Sequence, residues 1–164
     1  MTRLPYLTGY APELQTRAEE LLRSGELGAQ LAARYPDSHE VRTNKALNSY
    51  VQDLKARHMR TAAPLGQVQF DSRLHVVQKA LGMHVTTTRV QGNKLRKRRE
   101  LRVASLFKET PPEFLRMIVV HELAHMKHAQ HDRDFYKLCT YMEPDYHQLE
   151  LDLRLYLTAQ DWED

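Results

Sequence analysis

The chain has 164 residues, 41% of them apolar and 27% charged, and a formal net charge of +3. That composition belongs to a globular protein able to bury a core without a disulfide or a structural metal to hold it together. One cysteine, Cys139, excludes an intrachain disulfide framework, and no apolar run approaches the ~18 residues of a membrane span. The opening "MTRLPYLTGYAPELQ" lacks the apolar stretch of a secretory signal, so the expected location is the cytoplasm.

In chain order, residues 11–34 are expected to be helical, with Pro12 near the start and Leu14, Ala18, Leu21 and Leu22 at helical spacing. Gly25 and Gly28 should break or bend this stretch into two pieces. "PDSHE" reads as a second helix start, with Asp37 three residues before Glu40 in a capping-box arrangement. Behind it Leu47, Tyr50, Val51, Leu54 and His58 share one face. These helices form an N-terminal helical region over 1–60, and "RTAAPLG" (60–66) is the linker to the site-bearing region, 61–164.

Beyond the linker the pattern turns to β. "VQF" (68–70) suggests a short strand, while "MHVTTTRVQ" (83–91) and "LRVASLF" (101–107) suggest a long hairpin turning at Gly92-Asn93. After Glu143-Pro144, "YHQLELDLRLYL" returns to helix. The expected fold class is α+β, a small antiparallel sheet with N-terminal and C-terminal helices.

Charge is distributed unevenly. "RVQGNKLRKRRELR" (89–102) has seven Lys/Arg against one Glu, and residues 143–164 have seven acids against one Arg. A solvated hairpin end would explain the basic run. The functional alternative is a nucleic-acid contact through Lys94, Arg96, Lys97, Arg98 and Arg99. No aromatic residue is interleaved there, so the run itself holds no base-stacking platform.

The densest chemistry lies in "VVHELAHMKHAQHDRDFY" (119–136), where four histidines and a glutamate fall within eleven positions. Thr110 is expected to cap the helix that carries them, with Pro111 at its first position and Glu113 completing a capping box. Phe114, Ile118, His121 and His125 then share a face. His121 and His125 stand one turn apart, about 6 Å along the axis, and two imidazoles so spaced can converge on one zinc ion. Glu122, rotated about 100° from His121, suits a general base acting on a metal-activated water. This is the mechanical content of H-E-x-x-H.

The third ligand is less determined. His128 shares the face but lies about 10 Å along the axis from His121, too far for both to bind one ion. His131 qualifies only if the chain turns back near Ala129-Gln130, where no glycine supplies a left-handed exit. It remains the preferred third ligand, with His147 as an alternative. Asp132, Asp134 and Glu143 are candidates to receive the ligands' second N–H groups. Tyr136, Tyr141, Tyr146, Arg133 and His147 could each stabilise an oxyanion, and no spacing chooses among them. His39, His58, His75 and His84 read as structural or exposed, His128 as surface or supporting, Cys139 as a core thiol, and Met117, Met126 and Met142 as core filling.

The stretch "TPPEFLRMIVVHELAHMKHAQHDRDFY" resembles the YgjP-like metallopeptidase family, related to the SprT-like proteins, in its H-E-L-A-H core, the His six residues on and the aromatic pair that follows. The resemblance covers about 83–142. It implies a zincin-like fold with a small sheet packed on the active-site helix. It also implies zinc ligands at His121, His125 and His131, a catalytic Glu122, and an aromatic pair at Phe135-Tyr136, where Trp is usual second. Relatives usually carry a Trp-, Gly- and Ser-rich stretch where this chain has "NKLRKRREL", and a strand-rich start where this chain looks helical. The expected activity is that of a Zn2+ metallohydrolase, a peptidase acting on peptide or protein. One alternative is a nucleic-acid-associated protein, or a protease of DNA-bound proteins, using the basic hairpin 89–102; in the former, zinc is mainly structural. A non-catalytic zincin scaffold is a third reading, which the intact Glu122 opposes.

Overall fold

The structure, a computed structural model, describes residues 4–74 and 100–163. The expected strand over 83–91, the expected Gly92-Asn93 turn, His75, His84 and the basic residues Lys94 to Arg99 lie outside the described residues. A 3-10 turn at Pro5–Leu7 precedes helices α1 (Pro12–Arg23) and α2 (Glu26–Arg34). Gly25, at φ +76°, ends α1 in the left-handed region that side chains avoid. Gly28 lies inside α2 and breaks nothing.

Helix α3 (Asn44–His58) starts later than expected. Its cap is Thr43, whose side chain accepts from the Ala46 N–H at 3.1 Å, and 36–43 is not helical. Asp37 and Glu40 have the capping spacing, but His39 between them is committed elsewhere. Its ring bonds the Phe107 carbonyl at 2.9 Å and accepts the Val41 N–H at 3.0 Å, fixing the segment as an extended connection.

Strands β1 (Val68–Asp71) and β2 (Leu101–Ala104) pair in parallel, Val68 opposite Leu101 and Asp71 opposite Ala104. The sheet of the described residues is therefore parallel, which corrects the antiparallel expectation, and β2 gives way to a 3-10 turn at Ser105–Lys108. "LRVASLF" alternates over only its first half, so the strand ends where the alternation does.

Helix α4 (Pro112–Ala124) begins one residue later than its sequence suggests. Pro111 is the cap and Pro112 takes the first helical position, while Thr110 turns back to the Phe107 and Pro111 carbonyls. Nine of its side chains, Phe114 through Ala124, are buried, and it touches β2, α5 (Arg133–Met142) and α6 (Tyr146–Glu163). Arg116 on α4 pairs with buried Glu143 at 2.5 Å, and Glu143 also accepts the Asp145 N–H at 3.0 Å, tying α4 to the start of α6.

Helix α6 is covered on two sides. Its leucines alternate with polar residues, a strand-like pattern, but two steps on a helix turn the chain by about 200°. Leu149, Leu153 and Leu157 enter the main core with α3, β2 and α4, while Leu151, Leu155 and Ala159 meet the cluster of Leu7, Ala18, Leu22, Leu27 and Leu31. Asp152, buried, holds Arg34 at 3.0 Å and the Tyr35 hydroxyl, pinning the end of α2. Among the described residues no helix is long and apolar enough to cross a membrane.

Leu47 on α3 is fully buried in the same core as Phe107, Phe114 and Leu153. Leu47→Ala should therefore cost about 2–5 kcal/mol. Urea unfolding followed by circular dichroism and by Trp162 fluorescence should shift together. Separate transitions would show that α3 is not part of the cooperative core.

Candidate metal centre

Helix α4 ends sooner than the spacing of its histidines implies, and that early end assembles the site. Its last turn tightens, with Met126 N–H bonding Leu123 and Lys127 N–H bonding Ala124, and His125 is the C-cap in right-handed conformation. No described residue other than glycine has positive φ, so the chain reverses without a left-handed exit. Asp132 then accepts the Phe135 N–H at 2.9 Å and starts α5. His131, just before that cap, is returned to the end of α4.

The three imidazoles converge through their Nε2 atoms. His121 Nε2 lies 3.1 Å from His125 Nε2, which lies 3.0 Å from His131 Nε2. Nitrogens on a tetrahedral ion with bonds near 2.05 Å stand about 3.3 Å apart, so the spacing fits a shared ion closely. Among the described residues these three form the His/Cys/Asp/Glu group that could hold a metal, and His128 and His147 are not in it.

Hydrogen bonds on the far side of the rings fix which nitrogen faces the centre. His125 Nδ1 lies 2.9 Å from the His128 carbonyl, which can only accept, so His125 carries its proton on Nδ1 and presents a lone pair at Nε2. His121 Nδ1 lies 2.7 Å from the Tyr146 hydroxyl. Neither partner is one of the expected carboxylates: Asp132 caps α5 and Glu143 holds Arg116. His128 supports the site through its backbone, which no side-chain pattern could reveal.

Phe135 supports all three rings. It is fully buried, with its centroid 5.1, 4.5 and 4.9 Å from those of His121, His125 and His131. Burial holds the His131 pKa below the usual imidazole range, favouring the neutral form that a ligand requires. One turn along α5 from Phe135, Cys139 is fully buried, and burial pushes its thiol up to about 12. Tyr136 and His147 pack with their rings tilted, centroids 5.2 Å apart, and the Tyr136 centroid lies 6.3 Å from that of His131.

Glu122 retains some exposed surface, yet its carboxyl sits where burial pushes its pKa up to about 8. A carboxyl whose pKa is higher in the folded than in the unfolded state opposes folding once ionised. The metal-free chain should thus lose stability as pH rises from about 4.5 through about 8. Metal-free Glu122→Gln should melt with the wild type near pH 4.5 and on the order of 5 °C higher above about pH 8. Parallel melting curves across that range would remove the buried carboxyl from the account.

The YgjP-like, metallopeptidase domain family model matches residues 5–156. The UTP pyrophosphatase of Escherichia coli (strain K12) is 50% identical over 158 residues, covering 96% of this chain and 95% of that protein. No solved structure matches the chain. The chain belongs to the YgjP-like family, and its three-histidine centre accords with a metal-dependent hydrolase.

Proposed function

We propose that this chain is a zinc-dependent hydrolase that opens a phosphoanhydride bond of a nucleoside triphosphate, UTP being the first candidate. The convergence of three imidazole Nε2 atoms, one of them on the residue preceding Glu122, carries the hydrolase part of the reading. The half-identical relative, matched over nearly its whole length and named for UTP, supports the substrate. His121, His125 and His131 would hold the ion through Nε2. Zinc suits three neutral nitrogen donors with a fourth position left open. Bound there, the ion would supply Lewis acidity that makes water a nucleophile near neutral pH.

Glu122 acts as general base. Its carboxylate takes a proton from the water as the oxygen attacks phosphorus, the new P–O bond forms, and the bond to pyrophosphate breaks. Pyrophosphate leaves as a stable anion, so Glu122 need not return its proton to the leaving group. An amide would require that return, because an amine leaves only when protonated. The basic residues Lys94, Arg96, Lys97, Arg98 and Arg99 suit a polyphosphate chain as well as a nucleic-acid backbone.

Peptide hydrolysis is the second reading, favoured by the metallopeptidase description of the family. It uses the same ion and the same base, with Glu122 passing its proton to the leaving nitrogen.

Incubating the zinc-loaded chain with UTP and, separately, with a peptide library discriminates the two. The expected products are UMP and pyrophosphate, with Glu122→Gln retaining metal and losing roughly 10²–10⁴-fold in rate. Peptide cleavage with no triphosphate turnover would replace the substrate and leave the mechanism standing. Elemental mass spectrometry should find about one zinc per chain, lost in His131→Ala and kept in His128→Ala. Zinc retained by both variants would overturn the ligand set.

A further inference from the structure

A stripe of polar residues runs along α6 behind the centre. Tyr146, Glu150 and Arg154 follow at intervals of four, hence on one face of the helix. All are withdrawn from solvent: Tyr146 is fully buried, and the Glu150 and Arg154 side chains are 10% and 14% exposed. A carboxylate and a guanidinium so placed cost desolvation that apolar residues of similar volume would avoid. The stripe therefore calls for a role.

Its hydrogen bonds have a direction. Arg154 donates through Nη2 to Glu150 Oε1 at 3.3 Å and through Nη1 to the Tyr6 carbonyl at 3.0 Å. Burial and, with it, the charge of the Glu150 carboxylate one turn along α6 hold the Tyr146 hydroxyl proton in place. A carboxylate paired with arginine keeps its negative charge, so the Tyr146 O–H dipole is drawn toward that side. The hydroxyl oxygen is then left to accept, and the group 2.7 Å from it is His121 Nδ1. A hydroxyl that accepts pairs with a proton on His121 Nδ1, and that tautomer leaves the Nε2 lone pair directed toward His125 and His131.

We propose that Tyr146 is a positioning residue, oriented by the Glu150–Arg154 pair, that fixes the tautomer and ring orientation of His121 and thereby sets the metal affinity of the centre. This rests on the metal-site reading above. His125 gets the same service from a backbone carbonyl, so the side-chain part of the support falls on α6.

The test compares wild type, Tyr146→Phe and Leu149→Ala by zinc competition against a chelator. It also follows the His121 ring by nitrogen-15 NMR in the metal-free protein above about pH 8, where imidazoles are neutral. Wild type should show the Nδ1–H tautomer. Tyr146→Phe keeps the ring and removes the acceptor, so the tautomer should become mixed and zinc should bind roughly 10–100-fold more weakly. Leu149→Ala, which only loosens the same helix, should lower the melting temperature with the tautomer unchanged. If Tyr146→Phe does not fold, Glu150→Gln should shift tautomer and affinity in the same direction. Unchanged affinity and tautomer in a folded Tyr146→Phe would overturn the positioning role while leaving the metal site intact. A wild type whose zinc does not depend on His121 would overturn the metal-site reading, and this inference with it.

Discussion

Three imidazole nitrogens about 3 Å apart with lone pairs inward repel one another unless a cation or protons lie between them. Much of the local structure holds them there. The His128 carbonyl forbids His125 from turning its protonated nitrogen inward, and Tyr146 opposes the same turn in His121. Phe135 packs against all three rings, which opposes their turning away from one another on that side. Such preorganisation is bought with helix and core stability elsewhere, because an unoccupied cluster of this kind contributes little to folding by itself.

That stability comes from the two helices least amphipathic in pattern. Helix α4 is buried almost all round, so it carries His121 on a rigid element with no room to shift. Helix α6 lies between the main core and the N-terminal leucine cluster, and is held at Asp152 by α2 and through Glu143 by α4. A polar stripe can be kept inside such a helix because its position is already fixed by apolar contacts on two sides. The 3-10 turn at Pro5–Leu7 and helices α1 and α2 thus brace, through α6, a site that none of them enters.

The H-E-x-x-H pair and its glutamate were legible in sequence because helical spacing alone brings His121 and His125 together. His131 was legible only as a preference, since the reversal that returns it depends on α4 ending at Ala124, and no glycine or proline marks that end. The partners of the rings were not legible. One is a backbone carbonyl and the other, Tyr146, lies twenty-five residues away across a tertiary contact. The helix boundaries failed for a related reason. Asp37 and Glu40 have the spacing of a capping box, but the long-range bond of His39 to Phe107 overrides local preference. The parallel pairing of β1 with β2 has no local signal either, since pairing direction is decided by how the rest of the chain connects the strands.

Cys139 lends the centre a further property. A thiolate one turn from Phe135 would be a softer and stronger donor than any imidazole, and would also be the group most open to oxidation. Burial keeps the sulfur as a thiol at every physiological pH and away from solvent oxidants. The metal would therefore keep an all-nitrogen protein donor set. Cellular redox state would have no sulfur ligand through which to switch the site on or off.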